Sequence, residues 1–131
     1  MFQVGESCEV KEVVTAEKTA AAVGSGGLEV YATPMMIALM ERAALTLCDR
    51  HMAEGSTTVG TAMSITHESA SPVGMEVRAV AIVVAFSQRQ VQFSVEAYDS
   101  QGLIGKGTHT RFIVESERFC QKANSKLAQV D

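Results

Sequence analysis

The sequence contains no tryptophan, and aromatic residues make up only 5% of its 131 residues. Proteins that bind single-stranded nucleic acids stack the bases on aromatic side chains, so this chain offers few platforms for such binding. Basic residues are also in the minority, since 11 Lys and Arg stand against 15 Asp and Glu and the net charge is −4. A negatively charged chain is a poor partner for a phosphate backbone or an anionic membrane. We therefore expect neither nucleic acid nor membrane as a partner.

The three cysteines, Cys8, Cys48 and Cys120, stand far apart. Their spacing is not that of a metal site, and an odd count does not suit a disulfide framework. Reduced thiols are typical of the cytoplasm. The first ten residues, MFQVGESCEV, lack the basic region and apolar run of a secretory signal, and no stretch approaches the roughly 18 apolar residues of a membrane span. The sequence therefore predicts a cytoplasmic protein without a metal site.

Apolar residues are abundant, at 47%, while charged residues make up 20%. This composition is typical of a globular domain. A chain of this length buries one sizeable core, and no repeat or long linker divides it. We therefore expect a single domain over residues 1–131.

The longest predicted helix covers residues 32–50, ATPMMIALMERAALTLCDR. Thr33 and Pro34 form a start signal, because Thr can cap free backbone N–H groups and Pro is favoured at the first helical position. Gly55 marks the far end of the helix. One apolar stripe at helical spacing consists of Met36, Met40, Ala43 and Leu47.

Glu41 does not join the polar side of this helix. Its neighbours one turn away are Ile37, Ala44 and Leu45. A carboxylate among apolar neighbours is costly to bury unless it is paired or works as an acid or base. Two interpretations follow from the helix alone: a glutamate that reaches solvent or a distant Lys or Arg, and a catalytic carboxylate.

Around the helix the sequence predicts short strands. A first strand covers residues 2–14, and a short helical piece at 15–23 leads into a flexible Gly/Ser run at 24–27. Turn residues separate four further strands and a terminal helix. Those strands are predicted at residues 57–67, 75–86, 90–99 and 103–114, and the helix at 115–126.

The strand at 90–99 alternates apolar and polar residues, so one of its faces is covered and the other is wet. Residues 79–86, AVAIVVAF, are apolar on both faces, and we expect another chain to cover the outer one. The long helix must bury its apolar surface against the sheet. The predicted class is α+β, with an antiparallel sheet of five to six strands wrapped around one long central helix.

Histidines and basic residues offer further candidates. For His51, His67 or His109 taken singly, a structural role is more common than a catalytic one. The stripe of Arg118, Lys122 and Lys126 on the terminal helix is interpreted as a solvated face, with an anion site as the alternative.

Three segments in order, ATPMMIALMERA, VGTAMSITHESA and GLIGKGTHTRF, resemble the hot-dog-fold acyl-CoA thioesterases, and most of all the fluoroacetyl-CoA thioesterase group. The resemblance runs from about residue 5 to residue 122. It implies a hot-dog fold and hydrolysis of an acyl-CoA thioester, with coenzyme A entering as part of the substrate and no cofactor. The catalytic set that it implies is Thr33, Glu41 and His67. The family's backbone-amide glycine and substrate-side arginine fall on Gly60 and Arg111.

One segment departs from the family. Its fluoroacetyl enzyme carries phenylalanines on a lid before the long helix, whereas this chain has AAAVGSGGLEV there. We therefore expect a different acyl group, whose identity and length the sequence leaves open. The sequence also leaves open whether CoA or an acyl-carrier protein delivers the acyl group. Lys106, Arg111 and the basic stripe are candidates to bind the phosphates of CoA.

The helix start supplies unpaired N–H groups for a developing oxyanion, with the Gly60 N–H as a further donor. Glu41 is then the nucleophile or the general base, His67 orients it or shuttles the proton, and the Thr33 hydroxyl holds water or substrate. Thr33 and Glu41 are about 12 Å apart along one helix, beyond hydrogen-bond reach of one carbonyl. We therefore expect a composite site in a homodimer, and it stays open whether dimers pair into tetramers.

Two alternatives use the same fold. A non-catalytic acyl-CoA-binding or sensing module would need Glu41 only for structure. A hydratase would need an Asp/His pair that is not evident in the sequence.

Overall fold

A five-stranded antiparallel sheet and one long helix form the two layers of the molecule, in a computed structural model that describes residues 1–129. The strands are β1 (Ser7–Val13), β2 (Ser56–His67), β3 (Glu76–Ser87), β4 (Gln90–Asp99) and β5 (Gly102–Glu115). The helices are α1 (Ala20–Val23), α2 (Thr33–Asp49) and α3 (Ser116–Asn124), with 3-10 turns at Ala16–Lys18 and Ser125–Gln129. The strand order is β1-β3-β4-β5-β2. This arrangement confirms the predicted α+β hot-dog architecture.

The core lies between α2 and the sheet. The buried residues of α2 are Met36, Leu39, Met40, Ala43, Ala44, Leu47 and Cys48. On the sheet side the alternate residues of β3 and β4 are fully buried: Val77, Ala79, Ala81, Val83, Val91, Phe93, Val95 and Ala97. Burying one large aliphatic or aromatic side chain contributes about 1.5–3 kcal/mol, so this interface is a major source of stability. The predicted helical stripe and the alternation of the strand at 90–99 are both confirmed.

The start of α2 differs from the prediction by one residue. Ala32 is the N-cap, with an extended backbone (φ −73, ψ 138), and no side chain caps the helix. Thr33 is the first helical residue and Pro34 the second, so the predicted Thr33 cap was wrong. The Thr33 hydroxyl therefore does not cap the helix backbone and can form a hydrogen bond elsewhere. Gly55 does not end the helix either, because α2 ends at Asp49 and the positive φ of Gly55 (88) serves the turn into β2.

The predicted first strand, residues 2–14, is shortened to Ser7–Val13. Gly5 has a φ of 94, which places a turn before the strand. The other strands and α3 match the predicted ranges to within two residues at each end. The outer face of β3 has Val80 and Ile82 half-buried and Val84 47% exposed. Its cover by another chain stays a prediction.

The two outer strands of the sheet differ in how their edges are covered. Arg42 and Arg50 of α2 donate hydrogen bonds to the carbonyls of Lys11 and Ser7 in β1, at 2.8 and 3.1 Å. These side chains block one edge against pairing with another chain. In β2, by contrast, residues 61–62 are exposed.

Within residues 1–129, no helix combines the length and the apolar character that a membrane span requires.

Candidate active site

Thr33 and His67 meet where the start of α2 passes the end of β2. The Thr33 Oγ1 and the His67 Nδ1 are 2.7 Å apart, a hydrogen bond whose donor depends on the histidine tautomer. The other ring nitrogen of His67, Nε2, is buried and has no hydrogen-bond partner among residues 1–129. Burial lowers the pKa of His67, so the ring is neutral near pH 7. A neutral imidazole with a free nitrogen can accept or donate a proton.

A pocket of about 240 Å³ opens beside this pair. Thr33 and His67 line it together with Ala20, Ser25 and Val30 from the segment that precedes α2. The aromatic residue in the lining, Tyr31, is 1% exposed, and its hydroxyl donates a 2.5 Å hydrogen bond to the Glu12 carboxylate. The pocket is therefore bordered on the lid side by small side chains.

Glu41 of α2 lies beside the edge strand β2, two turns along the helix from Thr33. Its side chain is 43% exposed, and its Oε2 is 3.7 Å from the NH1 of Arg111 in β5. Gly60 makes this approach possible, because a Cβ at position 60 would lie 2.7 Å from Glu41 Oε2. Glu41 thus reaches solvent and a distant arginine, as the first of the two sequence interpretations has it, although its neighbours on the helix are apolar.

Arg111 is only 6% exposed, and all three of its nitrogens have a hydrogen-bond partner. Its Nε donates to Thr58 Oγ1 at 2.8 Å, and its NH2 donates to the Thr58 carbonyl at 2.9 Å. Its NH1 lies 3.1 Å from Nε2 of His109, whose Nδ1 lies 2.8 Å from the Ala62 carbonyl oxygen. Burial, and then the charge of Arg111, lower the pKa of His109.

The five residues implied by the resemblance thus form two groups. Thr33 and His67 are hydrogen-bonded at one end of α2, and Glu41, Gly60 and Arg111 are close together two turns further on. Sequence reasoning did not include His109 and Thr58 in the site. A signal was present in the segment HTR, because His109 and Arg111 are two residues apart on a strand and so share a face.

Two further observations concern ligands. Among residues 1–129, no three His, Cys, Asp or Glu side chains are grouped so that they could hold a metal ion. Arg118 and Lys122 of the basic stripe line a separate pocket of about 340 Å³ with Arg89 and Phe119. That pocket includes Ser56 at the start of β2, the strand end opposite His67.

Comparison with known proteins assigns the family. A family profile described as fluoroacetyl-CoA-specific thioesterase matches residues 14–117. A fluoroacetyl-CoA thioesterase from Streptantibioticus cattleyicolor is 35% identical over 98 residues, which cover 75% of this chain and 70% of that protein. A mutant of a fluoroacetyl-CoA-specific thioesterase, solved in complex with fluoroacetate and CoA, is 31% identical with a TM-score of 0.86, covering 90% of this chain and 99% of the other.

A second similar structure is that of a Thermus thermophilus member of the thioesterase superfamily, with a TM-score of 0.88, 28% identity and coverage of 98% of this chain and 97% of that one. Both the sequence match and the fold thus point to the same group of enzymes. The chain therefore belongs to the fluoroacetyl-CoA-specific thioesterase family, a family of hot-dog-fold thioester hydrolases.

Proposed function

We propose that this protein hydrolyses an acyl-CoA thioester in a composite active site of a homodimer. Thr33 and His67 of one protomer face Glu41 and Gly60 of its partner. The observation that carries the proposal is the division of the predicted site into two groups. Each group is held by contacts of its own, but their helix positions are about 12 Å apart in one chain.

Two exposed features support the dimer. The Glu41 side chain is 43% exposed, and residues 60–62 of the outer strand β2, where Gly60 lies against Glu41, are exposed as well. An outer strand with uncovered N–H and C=O groups is a template for pairing with a second chain. A two-fold axis beside β2 brings two antiparallel copies of α2 together, so that the start of one helix meets the middle of the other.

The buried Nε2 of His67 supports the same arrangement. A buried nitrogen without a partner costs about 1–3 kcal/mol. The partner's Glu41, or a substrate group or water bonded to it, would satisfy this nitrogen in the assembled site. His67 then relays a proton between Glu41 and the leaving group, and Thr33 fixes the ring through Nδ1.

The carbonyl oxygen of the thioester becomes negative in the transition state, so the site needs donors whose hydrogen bonds to this oxygen strengthen as the charge develops. The first N–H groups of a helix have no intrahelical acceptor, and they carry the positive end of the helix dipole. Pro34 has no N–H, and the N–H groups of Met35 and Met36 already donate to the Ala32 carbonyl at 3.0 Å, so the Thr33 N–H is the donor proposed at the start of α2. The Gly60 amide of the partner is the second donor proposed for the oxyanion.

Glu41 supplies the negative oxygen. The guanidinium of Arg111 lies 3.7 Å from this carboxylate and faces its negative charge. That carboxylate takes a proton from the attacking water, or it attacks the carbonyl carbon itself and water then releases the acid. In the first route a C–O bond to water forms, the C–S bond breaks, and the proton taken from water passes through His67 to the CoA thiolate. In the second route the C–S bond breaks as the C–O bond to Glu41 forms. Water then breaks that C–O bond by forming a new one to the acyl carbon, and its proton passes through His67 to the thiolate.

The acyl group belongs in the pocket of about 240 Å³ beside Thr33 and His67. Ala20, Ser25 and Val30 border this pocket, in the segment before α2 where the family resemblance implies lid phenylalanines. Small side chains leave room for an acyl group larger than fluoroacetyl, so we propose a different short acyl-CoA as the preferred substrate.

Thiol release from a panel of acyl-CoAs, including acetyl-, fluoroacetyl- and butyryl-CoA, tests this function. Glu41→Gln should lower kcat by about 10²–10⁴-fold, the usual contribution of a positioned acid or base. Glu54→Gln, at an exposed position outside both groups, is the matched control and should keep the wild-type rate. A wild type that binds acyl-CoAs without releasing thiol would instead establish a binding or sensing module.

A further inference from the structure

β2 carries a bulge between Gly60 and Ala62, beside the donor proposed for the oxyanion. A bulge interrupts the ladder and turns the backbone next to it, so its shape must be held by other contacts. The Ala62 carbonyl at this bulge is bonded by Nδ1 of His109 from β5, at 2.8 Å. His109 is 2% exposed, and this bond is therefore largely shielded from water.

The partners of His109 determine its tautomer. A carbonyl oxygen can only accept, so Nδ1 must carry the hydrogen that it donates to Ala62. A guanidinium can only donate, so Nε2 must be the acceptor for Arg111 NH1, at 3.1 Å. The ring is consequently neutral with one defined tautomer, and both of its nitrogens are used.

Arg111 connects this ring to Glu41. Thr58 holds two of its nitrogens, Nε and NH2, and His109 holds the third, NH1. NH1 is also the atom that lies 3.7 Å from the Glu41 carboxylate. The position of NH1, and with it the ion pair, depends on the acceptor that His109 provides.

Gly60 lies against the side chains of Glu41, His109 and Arg111. A Cβ there would be 2.7 Å from Glu41 Oε2, 3.1 Å from His109 Cε1 and 3.4 Å from Arg111 NH1. The histidine ring thus touches the glycine at the bulge from one side, while its Nδ1 holds the carbonyl two residues further on. A shift of this ring would be transmitted to the Gly60 backbone directly.

We propose that His109 is a positioning residue for thioester hydrolysis: its Nδ1–H fixes the β2 bulge that aims the Gly60 amide, and its Nε2 fixes Arg111 beside Glu41. This role rests on the proposed function, in which Gly60 and Glu41 meet the substrate. His109 itself acts through these groups and does not touch the thioester.

Two substitutions separate the two bonds. His109→Asn places an amide N–H near the position of Nδ1 and keeps the donor to Ala62, whereas His109→Gln places an oxygen near the position of Nε2 and keeps the acceptor for Arg111. His109→Phe removes both bonds and retains a ring. His51→Gln, at a histidine bonded to Glu6 outside the site, is the control and should leave kcat unchanged.

We expect kcat to fall about 10-fold in His109→Gln and about 100-fold in His109→Phe, with KM changed less than about 3-fold, because the misplaced groups act mainly in the transition state. In His109→Asn, which keeps the donor to Ala62, kcat should fall several-fold less than in His109→Gln. The ¹H–¹⁵N signal of Gly60 should shift in the Gln and Phe variants and stay closer to its wild-type position in Asn.

Unchanged kcat in both the Gln and Phe variants would overturn the positioning role, as would a loss of kcat with an unmoved Gly60 signal or an effect confined to KM. If the wild type hydrolyses no acyl-CoA, the proposed function fails instead. The Gly60 signal still tests in that case whether His109 holds the bulge.

Discussion

Gly60→Ala is the substitution whose consequence follows most directly from distances in the site. The added Cβ would lie 2.7 Å from Glu41 Oε2, whereas ordinary contact begins at 3.4 Å. The carboxylate must therefore retreat by about 0.7 Å, the difference between these two distances. A misplacement of about 1 Å in a reacting group costs up to about 10²-fold in rate. We expect kcat to fall about 10- to 100-fold, or roughly 1.4–2.7 kcal/mol in the barrier.

The same substitution should leave the fold almost intact. Gly60 does not have a positive φ, so alanine can adopt its backbone conformation. The group that must move furthest is the end of a flexible side chain that is 43% exposed, while His109 Cε1, at 3.1 Å, must give by about 0.3 Å. Replacing glycine stabilises by about 0.4–1 kcal/mol through the unfolded chain, which offsets part of the crowding against His109. We therefore expect the free energy of unfolding to change by less than about 1 kcal/mol.

Steady-state thiol release and urea unfolding measure the two effects separately. Gly27→Ala is the matched control, because a Cβ at position 27 meets nothing within 4 Å and the residue has no positive φ. It should keep the wild-type kcat and raise the free energy of unfolding by about 0.4–1 kcal/mol through the unfolded chain. A Gly60→Ala enzyme with wild-type kcat would refute the placement of Glu41 against Gly60, and a loss of activity explained by unfolding would refute the catalytic interpretation.

Two further predictions concern pH and the acyl pocket. Burial, and then the charge of Arg111, lower the pKa of His109 in the folded chain. Below about pH 6.5 the unfolded chain therefore binds more protons than the folded one. As the pH is lowered, the free energy of unfolding decreases by at most about 1.4 kcal/mol per pH unit. Urea unfolding between about pH 7 and 5.5, which spans the ordinary histidine pKa, should show a smaller fall in His109→Asn than in wild type, and equal slopes would contradict a neutral buried ring. Ser25→Phe should fill part of the pocket of about 240 Å³ and raise the ratio of kcat/KM for acetyl-CoA to that for butyryl-CoA; an unchanged ratio would place the acyl group elsewhere.

Local patterns in the sequence predicted most of the fold. The alternation over residues 90–99 and the apolar stripe of the long helix correspond to surfaces that are fully buried in the core. The helix start was missed by one residue, because an extended Ala32 and a capping Thr33 produce the same sequence signal. That one-residue difference freed the Thr33 hydroxyl for His67.

The site was predicted less completely, since its contacts join distant parts of the chain. The cation beside Glu41 comes from Arg111, 70 residues later, and the pairing of β2 with β5 determines this approach. The roles of His109 and Thr58 likewise depend on which residues the two strands place opposite each other. Periodicity within a segment carries no information about such pairings.

Complementation between two inactive variants tests the composite site most directly. In a mixed dimer of Thr33→Ala and Glu41→Gln, one of the two sites combines both substitutions and the other has neither. With free exchange in an equal mixture, half of the dimers are mixed, so activity should recover to about a quarter of the wild-type value. The control is a mixture of Thr33→Ala with the double variant Thr33→Ala/Glu41→Gln. It contains no intact site and should stay inactive. If the first mixture stays as inactive as its components while native mass spectrometry shows mixed dimers, Thr33 and Glu41 do not act across the dimer.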